Sequence, residues 1–240
     1  MDILRAFASG TTVLRNGDLA ELTGLPKPTV TRLTRTLVET GFLEYDPARK
    51  AYRLGIPVLG LAHAFRTGST ALRAATPLMR EVAQRLRINV GIAGADGTDM
   101  VYLESVRYGA RPSLRTVVSG QRVPMKLTSL GRAYLSQLPA SEFAAKMEQF
   151  RNADMVGWSR LNKDITLAVR AVRQQGYCVT SWQPQVVAIG TPLVIPGHNV
   201  LALNFSVLSE ESLSSIEARL SGPLLVLRDQ IIGATAELDE

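Results

Sequence analysis

Asn16-Gly17-Asp18-Leu19-Ala20-Glu21-Leu22-Thr23-Gly24 opens the segment that decides how this chain folds. Asp18 has the chemistry of a helix N-cap, because its carboxylate can accept from the unpaired N–H groups of a first turn. Glu21, three residues on, falls at the capping-box position. Leu19 and Leu22 share a face, and Gly24 can take the left-handed conformation that ends a helix. The spacing predicts a helix of about two turns. Leu25-Pro26-Lys27 reads as a turn. A second helix is expected from Pro28 to Thr40, with Pro28 in the first turn, where its missing N–H leaves nothing unpaired. Val30, Leu33 and Leu37 face inward at helical spacing, and Gly41 is the stop. Lys27, Thr29, Thr31, Arg32 and Arg35 fall on the outward face.

Phe42-Leu43-Glu44-Tyr45 and Ala51-Tyr52-Arg53-Leu54 alternate like strands, with Asp46-Pro47-Ala48-Arg49-Lys50 joining them. Helix, turn, helix and hairpin in this order form a winged helix-turn-helix. Residues 25–55 hold six Lys or Arg (27, 32, 35, 49, 50, 53) against three acids (39, 44, 46), so the segment is cationic. Arg can bond guanine O6 and N7 together, and Thr offers a hydroxyl and a methyl to a base edge or a phosphate. The helix alone could equally be an ordinary solvated face. Arg49 and Lys50 at the hairpin tip, placed to meet phosphates, make duplex DNA the expected partner.

The whole chain has 27 Lys and Arg against 21 Asp and Glu, a formal charge of +6, which fits a polyanionic partner. Its 240 residues allow one or two domains with a real core. The single Cys178 excludes an intrachain disulfide and fits a reducing cytoplasm. Met1 to Arg5 reads as a helix start rather than a leader. Val186 to Leu208 is long enough to span a bilayer, but Pro192, Pro196, Gly197, His198 and Asn199 interrupt it. Two strands joined by a Pro-Gly-His-Asn turn are expected there, and no membrane segment.

From Gly55 to Leu86 the pattern is helical. Val58, Leu61, Ala62 and Phe65 make one stripe; Leu72, Ala75, Met79, Val82 and Leu86 make another. The second stripe suits packing within the chain and packing against another subunit equally. Gly68-Ser69 should separate the two helices, and Thr76-Pro77 either restarts or kinks the second. Strands are expected at 89–93, 100–106, 114–118, 177–180, 186–189 and 200–207. Helices are expected at 128–138, 141–150, 162–175, 210–219 and 223–237. This order describes an α+β domain with an antiparallel sheet.

The catalytic inventory is thin. His63, His198 and Cys178 make no familiar zinc site. Cys178 lies in an alternating apolar strand, as a buried inert thiol would. No phosphate loop and no Gly-x-Ser-x-Gly is present. No catalytic residue, metal or cofactor is expected, and a binding protein is favoured over an enzyme. The rival class is an enzyme or sensor whose winged domain makes protein contacts instead of DNA contacts.

Taken together, Leu19 to Lys27 with Thr29-Val30 and Arg32-Leu33, then Leu37 to Leu43 and Tyr52 to Gly55, resemble the helix-turn-helix of the IclR family of bacterial transcription regulators. The resemblance continues through Met100 to Leu103, Gly120 to Pro124, Gly131 to Leu135 and Arg173 to Tyr177, and covers residues 2–238 in order. It implies a winged domain at 1–55, a linker helix at 56–70 and a GAF-like, profilin-like effector-binding domain at 71–240. It also implies a homodimer or dimer of dimers that regulates transcription, in the first instance as a repressor, under a small organic or aromatic acid. Carried over by position, the effector contacts are Ser129, Leu130, Ala188, Asn204 and Ser206. Lys126 stands where the family often has His and could pair with an acid ligand. Pro28 replaces a usual Ser, and Ser181 to Pro184 replace a usually acidic stretch, with Trp182 either in the pocket or in the core. Independently of the resemblance, Thr128 and Ser129 open a helix whose first N–H groups favour an anion. Asn204 and Ser206 are same-face polar positions in an apolar strand. Capping by Ser129 and internal hydrogen bonding by the other two are the alternatives.

Overall fold

The structure, a computed structural model, describes residues 2–7, 10–109, 118–208 and 211–239. The chain divides into two compact units, Met1–Gly68 and Ser69–Glu240.

The first unit contains α1 (Asp2–Ala6), β1 (Leu14–Arg15), α2 (Asn16–Thr23), α3 (Lys27–Glu39), β2 (Leu43–Asp46), β3 (Ala51–Leu54) and α4 (Pro57–Gly68). Its antiparallel sheet has the order β1-β3-β2. Ile3, Phe7, Leu14, Leu19, Val30 and Leu43 form its core. The N-terminus of α2 differs from expectation. Asp18 is the third helical residue, not the cap, and its Oδ2 accepts from the Arg15 backbone N–H at 2.8 Å. Leu14 and Arg15 pair with Tyr52 and Ala51 in β3, so the chain leaves a strand directly into the helix. A two-residue strand leaves no periodicity to read. Glu21 is consequently exposed inside α2 and has no capping role. Gly24 ends α2 at φ +68°, as expected. Inside α3 the buried residues are Val30 and Thr34, and the Thr34 hydroxyl is satisfied by the Val30 carbonyl at 3.0 Å. Gly55 donates to the Phe42 carbonyl at 2.9 Å. A Cβ there would enter the Gly41 carbonyl, so the wing closes onto the end of α3 only with glycine.

The second unit contains α5 (Thr70–Leu86), β4 (Asn89–Asp96), β5 (Asp99–Val106), β6 (Arg122–Pro124), α6 (Ser129–Leu135), α7 (Ala140–Ala153) and α8 (Trp158–Gln175), then β7 (Cys178–Gln183), β8 (Val186–Leu193), β9 (Leu201–Leu208) and α9 (Leu213–Asp239). The strands form one antiparallel sheet in the order β6-β5-β4-β9-β8-β7. Alternation divides its side chains. Ile92, Val187, Ile189, Leu203 and Phe205 pack with Leu72 and Met79 of α5 and Leu220 and Leu227 of α9. Ala93, Met100, Tyr102 and Ala202 join Met125, Leu130 of α6 and Ile165 of α8 in a separate cluster. Leu72, Ala75, Met79 and Val82 are thus buried within the chain, which resolves the ambiguity of that stripe.

Pro77, read as restarting or kinking its helix, and Pro223, at the head of the expected 223–237 helix, both lie inside helices. Pro77 sits within α5 and Pro223 within α9, where a single helix replaces the two expected at 210–219 and 223–237. A proline forfeits one helical hydrogen bond. Ile216, Leu220, Leu224, Leu227 and Ile231 of α9 are all buried, so continuous apolar burial on both sides of Pro223 outweighs that loss. The expected strand at 114–118 lies outside the described residues except for Val118; Arg122–Pro124 is the strand paired with β5. The apolar stretch near 186–208 is the antiparallel β8–β9 pair with Gly197 at φ +77° in its turn. Among the described residues no helix is long and apolar enough to cross a membrane.

Gly131 in α6 leaves no room for a side chain, because a Cβ would overlap the Met125 backbone carbonyl. Gly131→Ala is expected to destabilise the chain by about 3 kcal/mol, the upper end of the usual cost of overpacking, read as a lower urea midpoint with an unchanged slope.

Candidate functional site

The first candidate surface is the outer face of α3 with the β2–β3 wing. Lys27, Thr31, Arg32 and Arg35 are exposed, whereas Thr29 is half-buried. Arg49 and Lys50 are exposed at the wing tip, where Lys50 takes a left-handed φ of +48°. The cations differ in how they are held. Arg35 Nε lies 2.9 Å from Glu39, and Arg49 Nε lies 3.9 Å from Asp46. Arg53, counted among the basic residues of the hairpin, lies 2.7 Å from Glu44 across the two strands. Exposed pairs of this kind contribute about 0–1 kcal/mol, and Arg preceding Glu at i,i+4 is the weaker order, so Arg35 and Arg49 can exchange a carboxylate for a phosphate. Thr31 is committed locally: its hydroxyl donates to the Lys27 carbonyl at 3.0 Å and accepts from Asn16 Nδ2 at 3.3 Å. Asn16 is a contributor that the sequence pattern did not reveal, since it marks only the start of α2.

The second candidate is a cavity of about 110 Å³ where the ends of β4, β5, β8 and β9 meet. Asn204 and Ser206 line it, with Asn89, Tyr102, Ser105, Arg107, Gln183 and the apolar Val90, Val186, Val207 and Leu208. The register sets this polar row. Asn89 pairs with Ser206, Gly91 with Asn204, and Ala188 with Ser206. Asn204 is 3% exposed, and its Oδ1 has no hydrogen-bond partner. Burial pushes the Tyr102 phenol up from its ordinary range, opposed by its hydrogen bond with Asn204. Gly91 makes room for both groups, because a Cβ there would meet the Tyr102 ring at 2.5 Å and Asn204 Oδ1 at 2.8 Å.

The other four sequence candidates do not line that cavity. Leu130 is fully buried in the core beside α8. Ala188 is buried and pairs with Thr180. Lys126 Nζ lies 3.6 Å from Asp154, so its partner is a carboxylate of the chain itself. Ser129 is fully buried against Gly190, and its Oγ, like Thr180 Oγ1, has no partner. The helix start expected to favour an anion does not border this cavity. Thr128 is the cap and takes the Gly131 N–H at 3.2 Å, ahead of a helix of only seven residues. Trp182 is half-buried and packs on the apolar cluster. Asn89 could have been inferred from its alternation with Gly91 in an apolar strand. Tyr102, Ser105, Arg107 and Gln183 carry no such signal, because only pairing of distant strands brings them together.

Comparison with known proteins places this geometry. The IclR helix-turn-helix domain matches residues 1–47, and the bacterial transcriptional regulator IclR C-terminal domain matches residues 67–225. The chain therefore belongs to the IclR family of bacterial transcriptional regulators, a class that acts by binding DNA and not as enzymes. It is 34% identical over 184 residues to the HTH-type transcriptional regulator TsaQ1/TsaQ2 of Comamonas testosteroni, across 75% of this chain and 65% of that protein's length. The crystal structure of an IclR family transcriptional regulator from Brucella abortus matches at TM-score 0.87 and 31% identity, over 97% of this chain and 89% of that one. An IclR homologue from Microbacterium hydrocarbonoxydans, complexed with 4-hydroxybenzoate, shares the fold at TM-score 0.72 and 20% identity, over 98% of this chain and 97% of that one.

Cys178 is 2% exposed, with Sγ 3.6 Å from the Ser129 carbonyl. Burial pushes its thiol up to about 12, against the opposing pull of Arg132. A thiol that titrates so high is almost wholly protonated at pH 8 and unreactive. Ellman's reagent at pH 8 is expected to leave Cys178 unmodified in the native chain and to modify it fully in denaturant. Rapid labelling of the native chain would contradict the buried placement.

Proposed function

We propose that this chain is a sequence-specific DNA-binding transcription regulator, a repressor, whose operator affinity is set by a small organic acid in the cavity lined by Asn204 and Ser206. In this reading residues 1–55 read the DNA, 56–70 link, and 71–240 bind the effector, all in the cytoplasm. One observation carries the DNA reading. Lys27, Arg32 and Lys50 are exposed on the face of α3 and the wing that holds none of the core, and among the described residues no acid pairs with them. Arg32 is placed for a base edge; Arg49 and Lys50 are placed for phosphates.

The working species in this reading is a homodimer or a dimer of dimers. Its support is α4, which buries none of its residues although Leu59, Leu61 and Phe65 are large and apolar. A helix of that composition needs a covering surface, and a second copy of the same helix provides one. Two winged units would then present α3 to half-sites about 34–36 Å apart, or a multiple of this, on a roughly palindromic operator. An acid that binds one arrangement of the dimer more tightly shifts the population toward it and changes operator affinity.

In fluorescence anisotropy against the promoter beside its own gene, Arg32→Ala should weaken specific binding by about 1–3 kcal/mol and spare random duplex. Arg49→Ala should weaken both duplexes alike and lower the salt slope by about 1. Equal losses on both duplexes for both variants would refute this division of roles. A reporter under the same promoter should rise when the regulator is removed; a fall would make it an activator. In sedimentation velocity Phe65→Asp should shift dimer to monomer at micromolar concentration while the thermal unfolding of the second unit stays unchanged. An unaltered dimer would place the interface elsewhere.

A further inference from the structure

We propose that Asn16 is a positioning residue for base readout: by holding Thr31 it leaves that hydroxyl able only to accept, so Thr31 selects bases that carry an amino group in the major groove. The inference rests on the DNA reading of α3 and deepens it by fixing what one of its side chains can recognise.

Lys27, Thr31 and Arg35 follow one another at four-residue spacing in α3 and are all exposed, so Thr31 lies in the middle of the cationic face. A threonine hydroxyl has one hydrogen and two lone pairs. The hydrogen of Thr31 goes to the Lys27 carbonyl at 3.0 Å, and one lone pair takes an N–H of Asn16 Nδ2 at 3.3 Å. One lone pair is left. Phosphate oxygens, guanine O6 and N7, adenine N7 and thymine O4 are all acceptors, and none can bond to it. Adenine N6 and cytosine N4 are the donors of the major groove, so they are the base groups that Thr31 can take.

The bond to Lys27 alone would not impose this. A helical Thr that bonds back to a carbonyl of the preceding turn has two accessible rotamers, and a better acceptor can draw its hydroxyl away. Thr36 is held in that way only, by the Arg32 carbonyl at 3.2 Å. Thr31 has a second anchor, and it comes from a different helix, so its side chain is fixed from two directions. Asn16 has no comparable task within α2. Asp18 already takes the Arg15 N–H at the start of that helix. Asn16 Oδ1 is buried without a partner, which costs stability. Among the described residues the bond to Thr31 is the one that the Asn16 side chain makes.

The test is selection of bound duplexes from a randomised pool with the full chain, followed by anisotropy on four duplexes that differ at one base pair. Comparison of wild type with Thr31→Val locates the base pair that Thr31 reads. There A and C on one strand should both bind about three- to tenfold more tightly than G and T on that strand, the worth of one neutral hydrogen bond. Asn16→Ala and Asn16→Leu, which lack the donor, should flatten this preference. They should leave the base pairs read by Arg32, the affinity for random duplex and the salt slope unchanged. Asn16→Gln, which keeps an amide donor, should restore part of the preference. In the Thr31→Val background Asn16→Ala should have no further effect on base preference. Thermal unfolding of each variant reports its folding separately. The inference is overturned if that base pair is sorted as purine against pyrimidine or as A·T against G·C, or if Thr31→Val changes no base pair. It is also overturned if the donor-free Asn16 variants keep the wild-type preference or weaken every duplex alike. Specific binding that persists through these outcomes leaves the DNA reading standing, whereas a chain that binds no duplex at low ionic strength removes both.

Discussion

The larger unit depends on one sheet being covered on both faces by helices of opposite character. On the α5 and α9 side β4, β5, β7, β8 and β9 contribute aliphatic or aromatic bulk, and Phe205, Leu203, Ile189 and Ile92 are fully buried there. Burial of this kind contributes roughly 1.5–3 kcal/mol per side chain, and it holds two long helices in place despite an internal proline in each. On the other side the same strands present Gly91, Asn204, Ser206, Gly190 and Thr180. These small and polar groups leave space, and the helices over them do not satisfy every polar atom. Ser129 Oγ, Thr180 Oγ1 and Asn204 Oδ1 are all buried without a partner. Stability is concentrated on one face, which leaves the other able to carry a cavity.

The smaller unit divides its labour in a similar way. Val30, Thr34 and Leu43 anchor α3 and the wing against α1 and α2. The cationic residues project from the opposite side of the same elements. Their pairing with Glu39, Asp46 and Glu44 is weak because it is exposed, and it spaces the charge along the surface without quenching it. Gly41 and Gly55 set the wing's position relative to α3 through a backbone approach that tolerates no side chain at residue 55. A reader of this kind is stiff where it is buried and adaptable where it would meet a polyanion.

Which features were legible in the chain follows from how local their causes are. The turn at Leu25-Pro26, the stop at Gly24, the inward stripe of α3 and the wing hairpin could all be read, because each is fixed by residues within a few positions of one another. So could the break at Ser69, whose hydroxyl accepts from the Leu72 N–H at 3.3 Å. The start of α2 was misread for the converse reason. Its N-terminal geometry is imposed by β3, more than thirty residues further on. The same holds for Pro223, whose local signal says stop, while burial against a distant sheet says continue.

By itself the sequence determined the class of fold, the polarity of each helix, and the presence of a cationic reader ahead of a sheet-based domain, because periodicity and capping chemistry are written in neighbouring residues. The tertiary structure alone decided which polar residues share a cavity. Asn89, Tyr102 and Asn204 come from three strands, and only hydrogen-bonded register brings them to one wall. Ser129, Leu130 and Lys126 lie outside that cavity, because Ser129 is buried against Gly190, Leu130 sits in the core beside α8 and Lys126 faces Asp154. A side chain's availability is set by what packs beside it, and that is a property of the folded molecule.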